Sequence, residues 1–344
     1  MCLKLIAFAV LLSLTVSTLY AEDTHQLSAW RVLSKELTLD HHTHQPEVKQ
    51  QITWLINHPR YIRKLIEARP YIYHIIEEIK KRHLPGELAL LPMLESMFNP
   101  LVSSQKGAAG LWQLMPLTGR ELGLMPDPWV DPRLSIRPST DAALTYLAYL
   151  NKGFNGNWLF TIAAYDAGRG NVIKSMPKGR AFQSVNFWTL PLPTETKRYI
   201  PRLLALAQII KYPDYYHVKL PYIPYKPYFE VVETAEQISL QDAAKLIDTP
   251  IKELVHLNPG YKKKKMPPYE PHRLLIPAHK LSCFKKNIQQ HAHSLKKTVY
   301  HVVKLGDSLS CIAKAHQMTL ASLKKLNPHL QSHIIKPGQK ILLA

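Results

Sequence analysis

From Gln51 onward, apolar residues recur at helical spacing: Ile52, Leu55 and Ile56, then Tyr61, Leu65 and Ile66, then Ile72, Ile75, Ile76 and Ile79. Stripes of that period predict a run of amphipathic helices, each burying one face. Pro85-Gly86 breaks the run, and the next segment, Glu87 to Phe98, is apolar almost all round. That composition predicts a helix buried on every side, its greasy surface interrupted by Glu95 and Ser96. Thr140-Asp141 offers a cap for a helix carrying Leu144, Leu147 and Leu150, and Asn155-Gly156 separates it from the apolar stretch Trp158 to Tyr165. A further helix carries Tyr199, Leu203, Leu204, Ala207 and Ile210. No alternating strand pattern interrupts residues 51–211, which read as one α-rich domain.

The pattern changes between Tyr212 and Tyr228, where Pro213, Pro221, Pro224 and Pro227 alternate with tyrosines. Such a stretch is a stiff, extended connector, and the domain boundary is expected here at 212–228. The tyrosines either stack on sugars or pack the connector against the first domain, and packing is the commoner reason for such a stripe. Beyond it lies an internal repeat: Leu254-Val255-His256-Leu257-Asn258-Pro259 returns as Leu323-Lys324-Lys325-Leu326-Asn327-Pro328. Each copy follows an Ala-rich helical stretch and precedes an apolar strand-like one, Leu274 to Pro277 or Lys340 to Leu343. The implied unit is strand, two short helices, strand, placed at 229–280 and 298–344. The expected fold class is therefore α+β, a helical domain followed by small βααβ modules. Repetition by itself does not distinguish a ligand reader from a dimerisation module.

Upstream, Lys4 precedes the uncharged apolar run Leu5 to Val16, and small and polar residues follow to Ala21. This is the form of a secretory signal over 1–21, too short for the roughly 20 apolar residues a bilayer span needs. A retained anchor stays as the alternative. It would not act through a lipidated cysteine, because Cys2 lies ahead of the apolar run. Residues 22–50 are polar and histidine-rich, a leader whose Asp40-His41-His42-Thr43-His44 cluster is either a metal site or, more simply, a fraying segment. Cys283 and Cys311 are expected as separate thiols, since two cysteines define no disulfide framework.

With 344 residues, 46% of them hydrophobic, the chain can fill two or three domains. A net charge of +19 favours anionic partners: nucleic acid, lipid headgroups or an acidic cell wall. Export removes most of the case for nucleic acid. The run Lys262 to Lys265, framed by Asn258-Pro259-Gly260 and Pro267-Pro268, reads as a solvated loop.

Glu95 is the first candidate for chemistry. A carboxyl on an apolar helix is desolvated, which raises its pKa and suits it to general acid work. A buried structural glutamate is an equally good reading of the composition alone. Ser103 to Met115 joins a small-residue turn to an apolar helix start, where backbone can approach a ligand and Ser104 and Gln113 can offer hydrogen bonds. A tight helix-to-helix connection accounts for the same glycines.

Taken in order, Glu95-Ser96, Gly110-Leu111-Trp112-Gln113, Ala164-Tyr165-Asp166 and Glu195-Thr196 through Tyr199 resemble the four motifs of the family 1 lytic transglycosylases. That family has a goose-lysozyme-like fold, and the likeness covers about 51–211. His58-Pro59-Arg60-Tyr61, Arg69-Pro70-Tyr71 and Leu88 to Pro92 narrow it to one branch. Tyr300-His301-Val302, Gly306-Asp307-Ser308-Leu309, Leu326-Asn327-Pro328 and Pro337-Gly338-Gln339 resemble a LysM module, a binder of N-acetylglucosamine-containing glycans. The copy at 229–280 lacks the Gly-Asp-Ser turn and reads as degenerate.

The resemblance implies that Glu95 protonates the bond between N-acetylmuramic acid and N-acetylglucosamine, then acts as base on the C6 hydroxyl, leaving a 1,6-anhydro end. A single carboxylate then suffices, where most glycosidases need two. Ser104, Gln113 and Tyr165 would position substrate, with Ser96, Asp166 and Tyr199 completing the site, and Gly306, Asp307, Ser308, Asn327 and Pro328 would contact glycan in the LysM module. No cofactor or metal is expected, and the expected partner is the peptidoglycan glycan strand in the periplasm or envelope of a Gram-negative bacterium. Two positions depart from the family. Trp112 replaces a methionine and would make an apolar groove wall bulkier; Asp166 replaces an asparagine and, when ionised, accepts hydrogen bonds without donating any. Asp166 either orients a neighbour or adds a carboxylate able to activate water. A lysozyme-type hydrolase and a non-catalytic wall-binding scaffold remain the competing functions.

Overall fold

The structure, a computed structural model, describes residues 27–295 (side chains to 288), 300–327, 330 and 335–343. The signal expected at 1–21 lies outside the described residues. Two compact units are present: residues up to Ala244 together with Thr249–His279, and Lys245–Asp248 together with Lys280 onward.

The first unit is organised around the helix Thr194–Lys211, whose buried residues include Ile200, Leu203, Leu204, Leu206, Ile209 and Ile210. It packs against Pro46–Asn57, Trp158–Ala167 and Ala29–Glu36. The isoleucine stripe predicted from spacing is the inner face of Ile72–Lys81, with Ile72, Ile75, Ile76 and Ile79 all buried. Truncating any one of them to alanine should cost about 2–5 kcal/mol. From Ala29 on, the leader reading of residues 22–50 gives way. Ala29, Trp30, Val32 and Leu33 belong to the main core, and Val48 sits in it one helix later. Polar residues mask this segment because only one face of each short helix is apolar.

Three further differences from the sequence expectations have local causes. The long helix starts at Ile136 behind Ser135, ahead of Thr140-Asp141, because Thr140 is a buried interior position. The segment 86–98 is not one helix but a 3₁₀ turn, Gly86–Leu90, followed by the single-turn helix Leu91–Glu95. Pro92 at the start of that turn lacks an N–H, consistent with a fresh helix start. The connector 212–228 does pack on the first domain: Ala29 N–H donates to Ile223 O at 2.8 Å and Tyr225 N–H to Leu27 O at 2.7 Å. Most of the module after it, residues 229–244 and 249–279, lies in the same compact unit.

That module is the expected βααβ unit. Strands Phe229–Glu233 and Arg273–Pro277 pair antiparallel, Phe229 opposite Pro277, around helices Leu240–Leu246 and Ile251–Leu257. In the second unit Tyr300–Val302 pairs antiparallel with Lys340–Leu342 around Leu309–Ala315 and Leu320–Leu326. The repeated Leu-Asn-Pro explains itself in both copies. Asn258 donates to Leu254 O (2.9 Å) and Leu275 O (2.8 Å) and accepts from Leu275 N–H. Asn327 does the same with Leu323 O, Leu342 O and Leu342 N–H. Each asparagine staples its second helix to its second strand. Cys283 and Cys311 are free thiols. Among the described residues no helix is long and apolar enough to cross a membrane, and no group of three or more His, Cys, Asp or Glu is placed to hold a metal. His41 is instead buried against Glu87.

Candidate active site

Glu95 ends its short helix against Tyr199 from the helix Thr194–Lys211, whose hydroxyl donates to Glu95 Oε1 at 2.5 Å. Burial pushes the Glu95 carboxyl up to about 7; the Tyr199 bond opposes the rise, and the nearby carboxylates of Asp166 and Glu195 add to it. A group titrating there is available as an acid and as a base near neutral pH. Tyr165 and Tyr199 are both held far above the ordinary phenol range by burial and by the Glu95 charge, so each stays a hydrogen-bond donor.

The helix Trp158–Ala167 delivers Tyr165 and Asp166 to this place. Asn157 caps its start by accepting from Leu159 and Phe160 N–H, and Gly168, at φ +85°, ends it. Tyr165 donates to Trp112 O at 2.7 Å, tying that helix to the glycine turn. Asp166 accepts a hydrogen bond from Thr196; burial is the main cause raising its pKa, and Glu195 adds to it.

The turn itself is held from beneath. Gly110, at φ +80°, has no room for a side chain, because a Cβ would lie 2.4 Å from Arg133 O. Arg133 Nη1 donates to Gly107 O (2.7 Å) and Leu114 O (3.2 Å), and Asp131 fixes the guanidinium at 2.8 Å. Sequence reading missed this pair. The compact Asp-Pro-Arg at 131–133 was its only local sign. Ser96 turns its hydroxyl inward to Leu111 O at 2.9 Å, so that hydroxyl braces the turn. Gln113, a non-glycine residue at φ +46°, gives its amide hydrogens to Gly110 O and Val102 O, which leaves its carbonyl oxygen as the available acceptor. Ser104 is exposed and accepts from Ala108 N–H at 3.0 Å, a bond that does not use its hydroxyl hydrogen.

Trp112 corrects an expectation. It is 0% exposed, its indole N–H donates to Thr140 Oγ1 at 3.0 Å, and it fills the core, not the wall of a groove. The second unit corrects another: Asn327 is 1% exposed with its amide spent on backbone, so it does not contact glycan. Pro328 lies outside the described residues. Gly306 makes the turn at φ +91°, Asp307 accepts from His301 Nε2 at 2.7 Å, and Ser308 caps the following helix by accepting from Cys311 N–H.

The site is thus one desolvated carboxyl held against a tyrosine hydroxyl, beside a glycine turn braced by a second tyrosine. Residues 73–186 match the family Transglycosylase SLT domain, 228–293 match Lytic transglycosylase MltD, LysM-like domain, and 301–344 match LysM domain. Along the chain, a match to an SLT transglycosylase domain is thus followed by matches to two LysM-type modules. It is 34% identical over 291 residues to membrane-bound lytic murein transglycosylase D of Escherichia coli (strain K12), over 81% of this chain and 64% of that protein. It therefore spans just under two thirds of that relative's length. It is also 33% identical over 142 residues to soluble lytic murein transglycosylase of the same strain, covering 38% of this chain and 21% of that one. Among solved structures, the 70 kDa soluble lytic transglycosylase of Escherichia coli aligns at 23% identity and TM-score 0.34, over 54% of this chain and 32% of that chain.

Proposed function

We propose that this protein is a lytic transglycosylase that cleaves peptidoglycan between N-acetylmuramic acid and N-acetylglucosamine, leaving 1,6-anhydro ends. The observation that carries the proposal is Glu95, a carboxyl poised at about 7 inside the SLT domain. Protonated Glu95 gives its proton to the departing glycosidic oxygen, and the C1–O bond breaks. The carboxylate left behind takes the proton of the muramic acid C6 hydroxyl as that oxygen bonds to C1. Glu95 ends protonated as it began, and no water is consumed. Tyr199 holds the carboxyl in place through both half-steps, and the free carbonyl of Gln113 and the Ser104 hydroxyl are candidates to hold the sugar.

The LysM module at 301–344 supports retention on the wall, raising the local concentration of an enzyme acting on an insoluble polymer. The basic charge of the chain suits an acidic wall, and the membrane-bound relative supports a place in the Gram-negative cell envelope. The test is digestion of purified peptidoglycan with mass spectrometry of the released fragments. Anhydromuropeptides from the wild type and none from Glu95→Gln are expected. Fragments with reducing ends would instead identify a hydrolase, and binding to sacculi without release a scaffold.

A further inference from the structure

The first LysM-type module is built onto the SLT domain. Asp131 N–H donates to Gly260 O and Lys262 N–H to Trp129 O, both at 2.9 Å. Gly260 is packed so closely that a Cβ would lie 2.1 Å from Ser135 Oγ. Leu257, on the module's second helix, is a member of the SLT-domain core. The loop after that helix is thus spent on docking, so this copy is not a free-standing reader of sugar.

Docking creates a pocket of about 750 Å³. Its lining includes Ser96 to Asn99, the residues that follow Glu95 directly. Met97 and Phe98 both adopt positive φ, 51° and 56°, a strained backbone for side chains of this kind. The result splits them: Phe98 is buried, and Met97 is 47% exposed and lines the pocket. The charged lining comes from both partners, Lys64 and Glu67 from the SLT domain and Lys252 and Glu253 from the module. Lys64 and Glu67 form a long pair at 3.9 Å, and Glu253 accepts from Tyr228 at 2.8 Å. Lys252 is exposed, and its ammonium has no ion-pair partner among the described residues.

The sugars of a peptide-bearing strand carry no charge for such a lining to read, because each lactyl carboxyl is tied up as an amide. On a stripped strand the lactyl carboxylate sits against the ring, short of where a peptide would reach. A peptide with carboxylates and an amine carries such charge, and in peptidoglycan that peptide hangs from the muramic acid whose bond is cleaved. We propose that the pocket is a peptide subsite, completed by the docked module, that takes the stem peptide of the muramic acid beside the scissile bond. This rests on the peptidoglycan reading above and adds a specificity element to it.

The experiment compares the full chain with its Lys252→Glu variant on glycan strands bearing stem peptides and on the same strands stripped of peptide by an amidase. Lys252→Glu should lower kcat/KM about tenfold on the peptide-bearing strands and leave the stripped strands unaffected. Equal effects on both substrates, or none on either, overturn the subsite. Binding gives an arm independent of catalysis: in Glu95→Gln protein, calorimetry with a soluble diaminopimelate-containing tetrapeptide should show binding that Lys252→Glu weakens. No binding, or binding that Lys252→Glu leaves unchanged, overturns the subsite even if the enzyme cleaves glycan. A wild type that cleaves neither strand overturns the transglycosylase reading, while the calorimetric arm still decides the subsite.

Discussion

Glu87 and Glu95 sit at the two ends of one short apolar segment, and their surroundings make them opposites. Glu87 is 0% exposed and fully partnered: Leu39 N–H at 3.0 Å, Thr38 N–H at 3.4 Å and His41 Nε2 at 2.9 Å. His41 passes the network on to Gln208 at 2.8 Å, tying the loop before the helix Pro46–Asn57 to the central helix. Glu95 has one tyrosine hydroxyl and two carboxylates for neighbours. Burial alone does not decide a carboxyl's pKa. What separates the two is whether the protein supplies donors enough to satisfy the carboxylate, and at Glu95 it withholds them.

The largest effect should come from Glu95→Gln, which keeps the shape and removes the proton. Activity on peptidoglycan should fall by about 10³-fold or more, the range of general acid–base catalysis. The same change should stabilise the fold at alkaline pH. Glu95 has a folded pKa near 7 against an ordinary value of 4.5, so the folded state holds its proton more tightly than the unfolded chain. Its contribution to stability is present below pH 4.5 and is lost as pH rises toward 7. At pH 8 the ionised group costs roughly 3 kcal/mol, which the glutamine variant would avoid, less the value of the lost Tyr199 bond. Denaturant titration of both proteins at pH 5 and pH 8 reads this directly, and a gap that does not widen with pH would contradict the desolvation argument.

Glu87→Ala should do the reverse. It strands two backbone N–H groups and His41 in the core, at a cost of roughly 3 kcal/mol. Well below the lowered melting temperature, kcat should stay within about twofold of wild type. Thermal unfolding combined with a rate assay at low temperature separates the two outcomes.

The asymmetry between these glutamates also shows what the sequence could reveal. Helical periodicity, the tandem βααβ units and the desolvated setting of Glu95 were legible because each is written in spacing within a few residues, or in short motifs in a fixed order. The partner of Glu87 was not. His41 lies 46 residues upstream, in a polar stretch that reads as a leader because its helices show only one narrow apolar face. Trp112 fits a groove wall as well as a core until Thr140, 28 residues on, is seen to accept a hydrogen bond from its indole N–H. The Asp131–Arg133 brace and the docking of the first LysM-type module share that cause. Both depend on long-range pairing of backbone groups, which leaves no period in the chain.

Tyr199→Phe probes the one donor Glu95 keeps. That bond holds the carboxyl lower than burial alone would, so its loss should move the alkaline limb of the pH–rate profile upward. The rate at the optimum should fall about tenfold, because the acid is no longer fixed in place. A profile that shifts downward instead would show that Tyr199 does not favour the charged form.

Asp166→Asn should give the smallest change and is the most informative about product. Asp166 raises Glu95 through charge, and burial and Glu195 in turn raise Asp166. Removing its charge should lower the alkaline limb of the pH–rate profile slightly and change the rate at pH 6 by no more than a few-fold. Thr196 already donates to Asp166, so this carboxylate has a structural partner and is not waiting for water. The ratio of anhydro to reducing ends, read by mass spectrometry, should therefore be the same in both proteins. If the wild type releases a fraction of reducing ends that Asp166→Asn lacks, Asp166 activates water and the site is partly a hydrolase. The contrast with Glu87 would then need redrawing, because two under-partnered carboxylates, not one, would share the chemistry.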